Sequence, residues 1–222
     1  MKFNIITIFP KIFDSYFSES IIKRAQEGGH VSIQIDNLRD FATDKHKTVD
    51  DTPYGGGAGM VMKVEPIHRA VGSIISNSKI SKPNNTRIIL FSAKGRRYTQ
   101  QDAVRLSKYE NIIMICGRYE GIDERVLQNI ADEEISIGDF VLTGGEIPAM
   151  AVVDSITRLI PGVLGNLQSI EIESHSEDGY LEYPQYTKPE EFLTWKVPNV
   201  LLSGDHKKIN KWRENNAKRK NH

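Results

Sequence analysis

A chain of 222 residues with 39% hydrophobic and 26% charged residues, 17 Gly and 9 Pro can bury a core as one sizeable domain with an appendage or as two small ones, and the disordered and collagen-like classes are excluded. Cys116 is the only cysteine, no run approaches the ~20 apolar residues of a membrane span, and Met1 to Pro10 lacks the apolar core and cleavage site of a signal peptide; a cytoplasmic protein without a disulfide is expected. Net charge is zero, 29 basic against 29 acidic residues, but eight acids stand against Arg125 alone between Tyr119 and Glu146, while Lys207, Lys208, Lys211, Arg213, Lys218, Arg219 and Lys220 face only Glu214 near the end, a segment that attracts phosphates unless it is merely a solvated tail.

Apolar runs predict strands at Phe3 to Phe9, Val31 to Ile35, Arg87 to Ser92, Ile112 to Cys116 and Ile135 to Leu142, the last interrupted near Gly138. Helical spacing fills the gaps. Ile12, Phe13, Tyr16, Phe17, Ile21 and Ala25 predict a helix after Pro10 that Gly28-Gly29 stops; others are expected over Val64 to Ile75, Thr99 to Ser107, Gly121 to Ile130 and Ile147 to Leu159. The β/α alternation, with strands apolar at every position, points to a mainly parallel sheet covered by helices on both faces. Ligands then belong at the strand carboxyl ends. The pattern divides the chain into a main domain over 1–164, a polar linker over 165–183 that is long for an ordinary loop, and a small basic domain over 184–222 with Trp195, Trp212 and a helix from Asp205 to Lys218. That last piece holds too little core to stand alone.

Several chemistries lose support at once. There is no G-x-G-x-x-G, no P-loop and no G-x-S-x-G, and the six histidines show no metal-ligand spacing. Four features remain. Asp50 to Met60 is a glycine cluster flanked by acids, read either as a surface loop or as backbone that lets a ligand or RNA approach. Cys116-Gly117-Arg118-Tyr119-Glu120-Gly121 follows an apolar strand; it is either a tight turn with a satisfied ion pair or a ligand-binding crest, and Cys116 reads as a buried small apolar residue rather than a nucleophile. Ile137 to Pro148 runs from strand to helix with capping-box spacing at Thr143 and Glu146 and Pro148 in the first turn. Gly144-Gly145 there leave backbone groups free to read an adenine edge. Finally, Arg158 at a helix end, which also suits the helix dipole, and Glu173 with His175 in the linker together suggest a cation and a base near one site.

At these motifs the chain resembles the bacterial tRNA (guanine-N1)-methyltransferases, the TrmD family of the SPOUT superfamily. The likeness runs from Ile8-Phe9-Pro10 to about Arg213 and includes Asp50 to Met60, Cys116 to Arg125, Ser136 to Met150, Ile160 to Gly165 and Leu201 to Gly204. The resemblance implies an α/β fold of SPOUT type, with a trefoil-knotted, mainly parallel sheet, flanking helices and a small helical C-terminal domain that binds tRNA. It also implies a homodimer with shared active sites, no membrane, and methyl transfer from S-adenosylmethionine to N1 of the guanosine at tRNA position 37. Carried over by motif, the cofactor residues are Phe91, Ser92, Gly117, Tyr119, Glu120, Ile137, Gly138, Asp139, Phe140, Val141, Leu142, Gly144, Gly145 and Pro148. Arg158 matches the family's catalytic arginine and Glu173 its linker base, where the family usually has aspartate. Magnesium is suggested by the family and by no ligand pattern here. The chain is also expected to stop short of a helical stretch that family members carry past the match to Trp212-Arg213. A ribose 2′-O RNA methyltransferase of the same superfamily and a non-catalytic RNA-binding module remain the alternative readings.

Overall fold

The computed structural model describes residues 1–77, 85–165, 173–177 and 179–219. The chain divides into two units, Met1–Gly165 and Asn166–His222. Along the first run β1 (Lys2–Thr7), a 3-10 turn (Pro10–Phe13), α1 (Asp14–Phe17), α2 (Ser20–Glu27), β2 (Ser32–Asn37), β3 (Asp50–Asp51), β4 (Val61–Met62) and α3 (Val64–Asn77). Then come β5 (Thr86–Arg97), α4 (Gln100–Leu106), β6 (Asn111–Cys116), α5 (Glu124–Asn129), β7 (Glu133–Ser136) and α6 (Glu146–Thr157). Five strands form one sheet in the order β2-β1-β6-β5-β7, and every pairing in it is parallel.

The apolar strands carry two cores because successive side chains point to opposite faces. On β1 and β6, Phe3, Ile5, Ile112, Met114 and Cys116 pack with Ala149, Val152, Val153 and Ile156 of α6. Ile6, Ile113 and Ile115 turn the other way, onto Ile67, Ala70, Val71 and Ile74 of α3. A buried Ile or Met of this kind stabilises by about 1.5–3 kcal/mol. Between the two strands, the Asn4 amide donates to the Asn111 side chain at 2.6 Å inside the core. Among the described residues no helix is long and apolar enough to cross a membrane.

Three predicted elements differ in detail. The helix expected after Pro10 is broken into the 3-10 turn, α1 and α2. The Ser18 hydroxyl donates to the Asp14 carbonyl at 2.6 Å, a side-chain bond that competes with helix continuation. The strand expected over Ile135 to Leu142 stops at Ser136, whose hydroxyl donates to Gly138 O at 2.9 Å and accepts from Gly138 N at 3.3 Å, turning the chain. The strand expected to end at Ser92 runs on to Arg97, and Ile135 pairs with both Phe91 and Arg96. The register shifts between them, and Gly95 lies against β7; a Cβ there would meet Ile135 backbone atoms at 2.7 Å.

In the second unit β8 (Tyr180–Leu181) pairs antiparallel with β11 (Lys218–Arg219), and β9 (Glu191–Phe192) with β10 (Trp195–Lys196). The end of the expected linker is therefore strand, while 166–172 and 178 lie outside the described residues. Two helices follow β10, α7 (Asn199–Leu202) and α8 (His206–Asn216). Asp205 caps α8, accepting from Lys207 N and Lys208 N at 3.1 and 3.2 Å. Neither helix buries a residue, as expected of so small a core.

The β5 extension is held by charges. Arg96 donates to Asp102 at 2.8 Å and to Glu133 at 3.0 Å, and Arg105 bridges the same two carboxylates at 3.2 and 2.8 Å. Burial pushes the Asp102 pKa up, but hydrogen bonds from Arg96, Thr99 and Arg105 outweigh it and hold the carboxyl at about 2 against an ordinary 3.8. A depressed carboxylate adds stability above its unfolded pKa and loses it as pH falls through the folded one. The unfolding free energies of the parent and Asp102→Asn should therefore differ by about 2 kcal/mol from pH 7 down to about pH 4 and converge as pH approaches 2. Urea unfolding across that range checks this.

Candidate active site

A cavity of about 370 Å³ opens at the carboxyl ends of β6 and β7, beside the middle of β5. Leu90, Phe91, Ile122, Leu127, Ile135 and Pro148 supply its apolar lining. Three segments close it: Ser92 to Lys94 within β5, and the loops Gly117 to Glu124 after β6 and Ile137 to Gly145 after β7. Its size and mixed lining suit a small organic ligand.

Backbone contacts lock these loops together. Gly145 N donates to Gly117 O at 3.0 Å, and a Cβ on Gly145 would lie 2.7 Å from Cys116 Cα. Only glycine lets α6 begin that close to the end of β6. Tyr119 takes a left-handed conformation, φ 61, which turns the chain so that Glu120 N donates to Met60 O at 3.1 Å. Met62 N then donates to Gly121 O and Asp123 N to Met62 O, both at 3.0 Å. The Asp50 to Met60 block is thereby tied to the cavity wall.

One buried ion pair joins the walls from behind. The carboxylate of Glu146, 2% exposed, accepts from Thr7 Oγ1 at 2.7 Å and from Arg118 Nε at 3.0 Å. Arg118 also donates to Thr143 O at 3.2 Å and lies 4.7 Å from the Phe9 ring centroid. Thr7 Oγ1 in turn accepts from Phe9 N at 2.9 Å. Glu146 is thus taken up by Arg118 and Thr7, and the capping box expected with Thr143 does not form; Gly145 occupies the cap position without a side-chain bond. The carboxylate still sits in the first turn of α6, where the helix dipole favours it.

Every residue carried over for cofactor binding lines the cavity except Asp139, which is exposed and pairs with Arg97. Arg158 is the C-cap of α6, half-buried, and is not in the lining. Glu173 belongs to the second unit, where its carbonyl accepts from Ser176 N at 3.0 Å. His175 beside it is exposed, with φ 69. Cys116 is fully buried, and burial together with the nearby Glu146 pushes its thiol well up, so it packs and does not attack. In Cys116 to Gly121 Arg118 forms the expected ion pair, and its neighbours line the cavity. Sequence reasoning missed Leu90, Lys94, Ile122, Leu127 and Ile135; the apolar runs containing Leu90 and Ile135 were visible, but nothing local marks which of their residues face a ligand. Among the described residues no group of three His, Cys, Asp or Glu is placed to hold a metal ion.

The family model described as tRNA (Guanine-1)-methyltransferase TrmD matches residues 1–222. A tRNA (guanine-N(1)-)-methyltransferase of Geobacter sp. (strain M21) is 54% identical over 213 residues, 96% of this chain and 83% of that protein. One from Clostridioides difficile (strain 630) is also 54% identical over 213 residues, 96% of this chain and 90% of that protein. Among solved structures, the tRNA (m1G37) methyltransferase from Aquifex aeolicus superposes with a TM-score of 0.80 at 42% identity, covering 97% of this chain and 90% of that one.

Removing one partner of a buried ion pair strands the other. Glu146→Gln is expected to lower the unfolding free energy by about 3–5 kcal/mol, and the Arg118→Met/Glu146→Leu double variant to recover part of that loss. Urea unfolding of the three proteins measures the coupling.

Proposed function

The chain belongs to the tRNA (guanine-1)-methyltransferase TrmD family, and from that premise we propose that it transfers a methyl group from S-adenosylmethionine to N1 of the guanosine at tRNA position 37, next to the anticodon. The observation that carries this reading is the cavity at the carboxyl ends of β6 and β7, beside β5, lined by all but one of the residues that match the family's cofactor motif. Its chemistry fits the cofactor. Apolar side chains offer a surface for an adenine ring, and Glu120, which makes no ion pair among the described residues, offers a carboxylate to a cationic sulfonium and ammonium. When bound, the cofactor supplies an activated methyl group. Magnesium is a further proposal that rests on the family alone.

Guanine N1 carries a proton at neutral pH and is a poor nucleophile, so the chain's own task is deprotonation and alignment. Glu173 supplies a carboxylate able to accept the N1 proton. Arg158 stabilises the negative charge that grows on O6. Taking the base from its stack costs a few kcal/mol, least in a loop such as the anticodon. The basic residues of α8 and beyond then hold tRNA phosphates.

The family's homodimer with shared active sites is proposed on the same footing. Exposed Phe9, Ile12, Tyr16 and Ile147 gather where the 3-10 turn, α1 and α6 meet, and an apolar group of this kind suits burial against a second copy. The family's trefoil knot is proposed on the same footing; the close backbone approaches at Gly95 and Gly145 are compatible with it. The names of the relatives do not favour the ribose 2′-O reading.

The direct test incubates the protein, labelled cofactor and unmodified tRNA; the label is expected on N1 of guanosine 37, and a label on ribose defeats the reading. Single-turnover methylation is expected to slow by about 10²-fold or more in Glu173→Gln and in Arg158→Ala, whereas His175→Ala keeps the parent's rate and pH profile. Neutralising Lys207, Lys208, Lys211, Arg213 and Lys218 should make the salt dependence of tRNA binding shallower by nearly one unit of log slope for each phosphate that no longer meets a cation.

A further inference from the structure

The second unit carries a surface with no part in the proton and methyl transfers. In the β9–β10 hairpin Trp195 lies directly opposite Phe192 and Lys196 opposite Glu191. Leu193 and Thr194 form the two-residue turn, with Leu193 in the left-handed region at φ 57, as tight hairpin turns require. Residues opposite one another share a face of the ribbon. One face therefore carries two rings, 5.8 Å apart and tilted by 55°; the other carries the Lys196–Glu191 ion pair at 3.4 Å. Phe192 is 57% and Trp195 69% exposed. A ribbon of two short strands is marginal in water by itself, and here its largest apolar groups face solvent.

Charge indicates what covers them. The ion pair leaves the hairpin itself near neutral, but Val197 and Pro198 join it directly to α7, which packs on α8. α8 presents Lys207, Lys208, Lys211 and Arg213 to solvent against Glu214 and the capping Asp205. Exposed cations and exposed ring faces within one unit match a single-stranded nucleic acid, whose phosphates take the cations while its unstacked bases lie on the rings. An apolar protein partner has no use for the cations.

Resting on the tRNA-modifying reading above, we propose that Phe192 and Trp195 form a stacking platform for an unpaired base of the tRNA, beside the α8 cations that hold its backbone. Stacking reads a π-face and not a base edge. The platform therefore adds grip without demanding a particular base.

The test uses the full chain and unmodified tRNA, with dissociation constants measured over a range of salt. Trp195→Ala and Phe192→Leu are each expected to weaken binding about five- to hundredfold with the log–log salt slope unchanged, because every cation is retained. Trp195→Phe, which keeps a ring, should retain most of the affinity, and binding of S-adenosylmethionine and the melting temperature should match the parent in all three. Parent-like affinity in Trp195→Ala and Phe192→Leu, or equal weakening in Trp195→Phe and Trp195→Ala, overturns the platform. So does sedimentation showing that Trp195→Ala dissociates a dimer, which makes the face a contact between copies. If the parent methylates tRNA and the variants bind it equally well, only the platform falls; if the parent neither binds nor methylates tRNA, the functional reading falls first.

Discussion

The Glu146 carboxylate is the point on which the site depends. It is buried where β1 ends, where the chain leaves β6 and where α6 begins, and it is bonded to both Arg118 and Thr7. A buried charge is tolerable only when its hydrogen bonds are met, so the three segments can occupy only positions that satisfy it. Arg118 extends the constraint to Thr143, and with it to the loop that closes the cavity. The cavity walls are therefore set by an interaction within the protein itself.

Architecture was largely legible in the sequence because a strand that is apolar at every position must be covered on both faces. Asn111 to Cys116, buried throughout, can only be a central strand with helices above and below. The misread boundaries share a cause. Ser18 and Ser136 end their elements through side-chain bonds to nearby backbone, and periodicity weighs such residues as merely polar. The run of β5 past Ser92 depends on a close approach at Gly95 and on acids brought from α4 and β7, which no local pattern announces.

The site was legible as motifs and not as a shape. Glycines and Pro148 at the strand ends marked where the cavity lies, and the family likeness sorted them. What the motifs could not display is the apolar lining, since Leu90 or Ile135 looks the same whether it packs on a helix or faces a cavity. Nor could they distinguish Asp139 from its neighbours; in the fold it turns to Arg97, while the residues on either side line the cavity. The acids and bases differ in kind as well. Arg118 was explicable as a structural cation because its partner lies within the same unit, whereas Arg158 and Glu173 belong to different units, and the roles proposed for them rest on the family likeness.

The hydrogen bond between Asn4 and Asn111 spans 107 positions of chain. During synthesis β1 can dock on β2 soon after residue 37 emerges, but its other edge has no partner until β6 follows. At about 5–20 residues per second that gap lasts roughly 4–16 s. For that interval the future centre of the sheet is an open edge on a ribosome-bound fragment, the kind of surface that holdase chaperones shield.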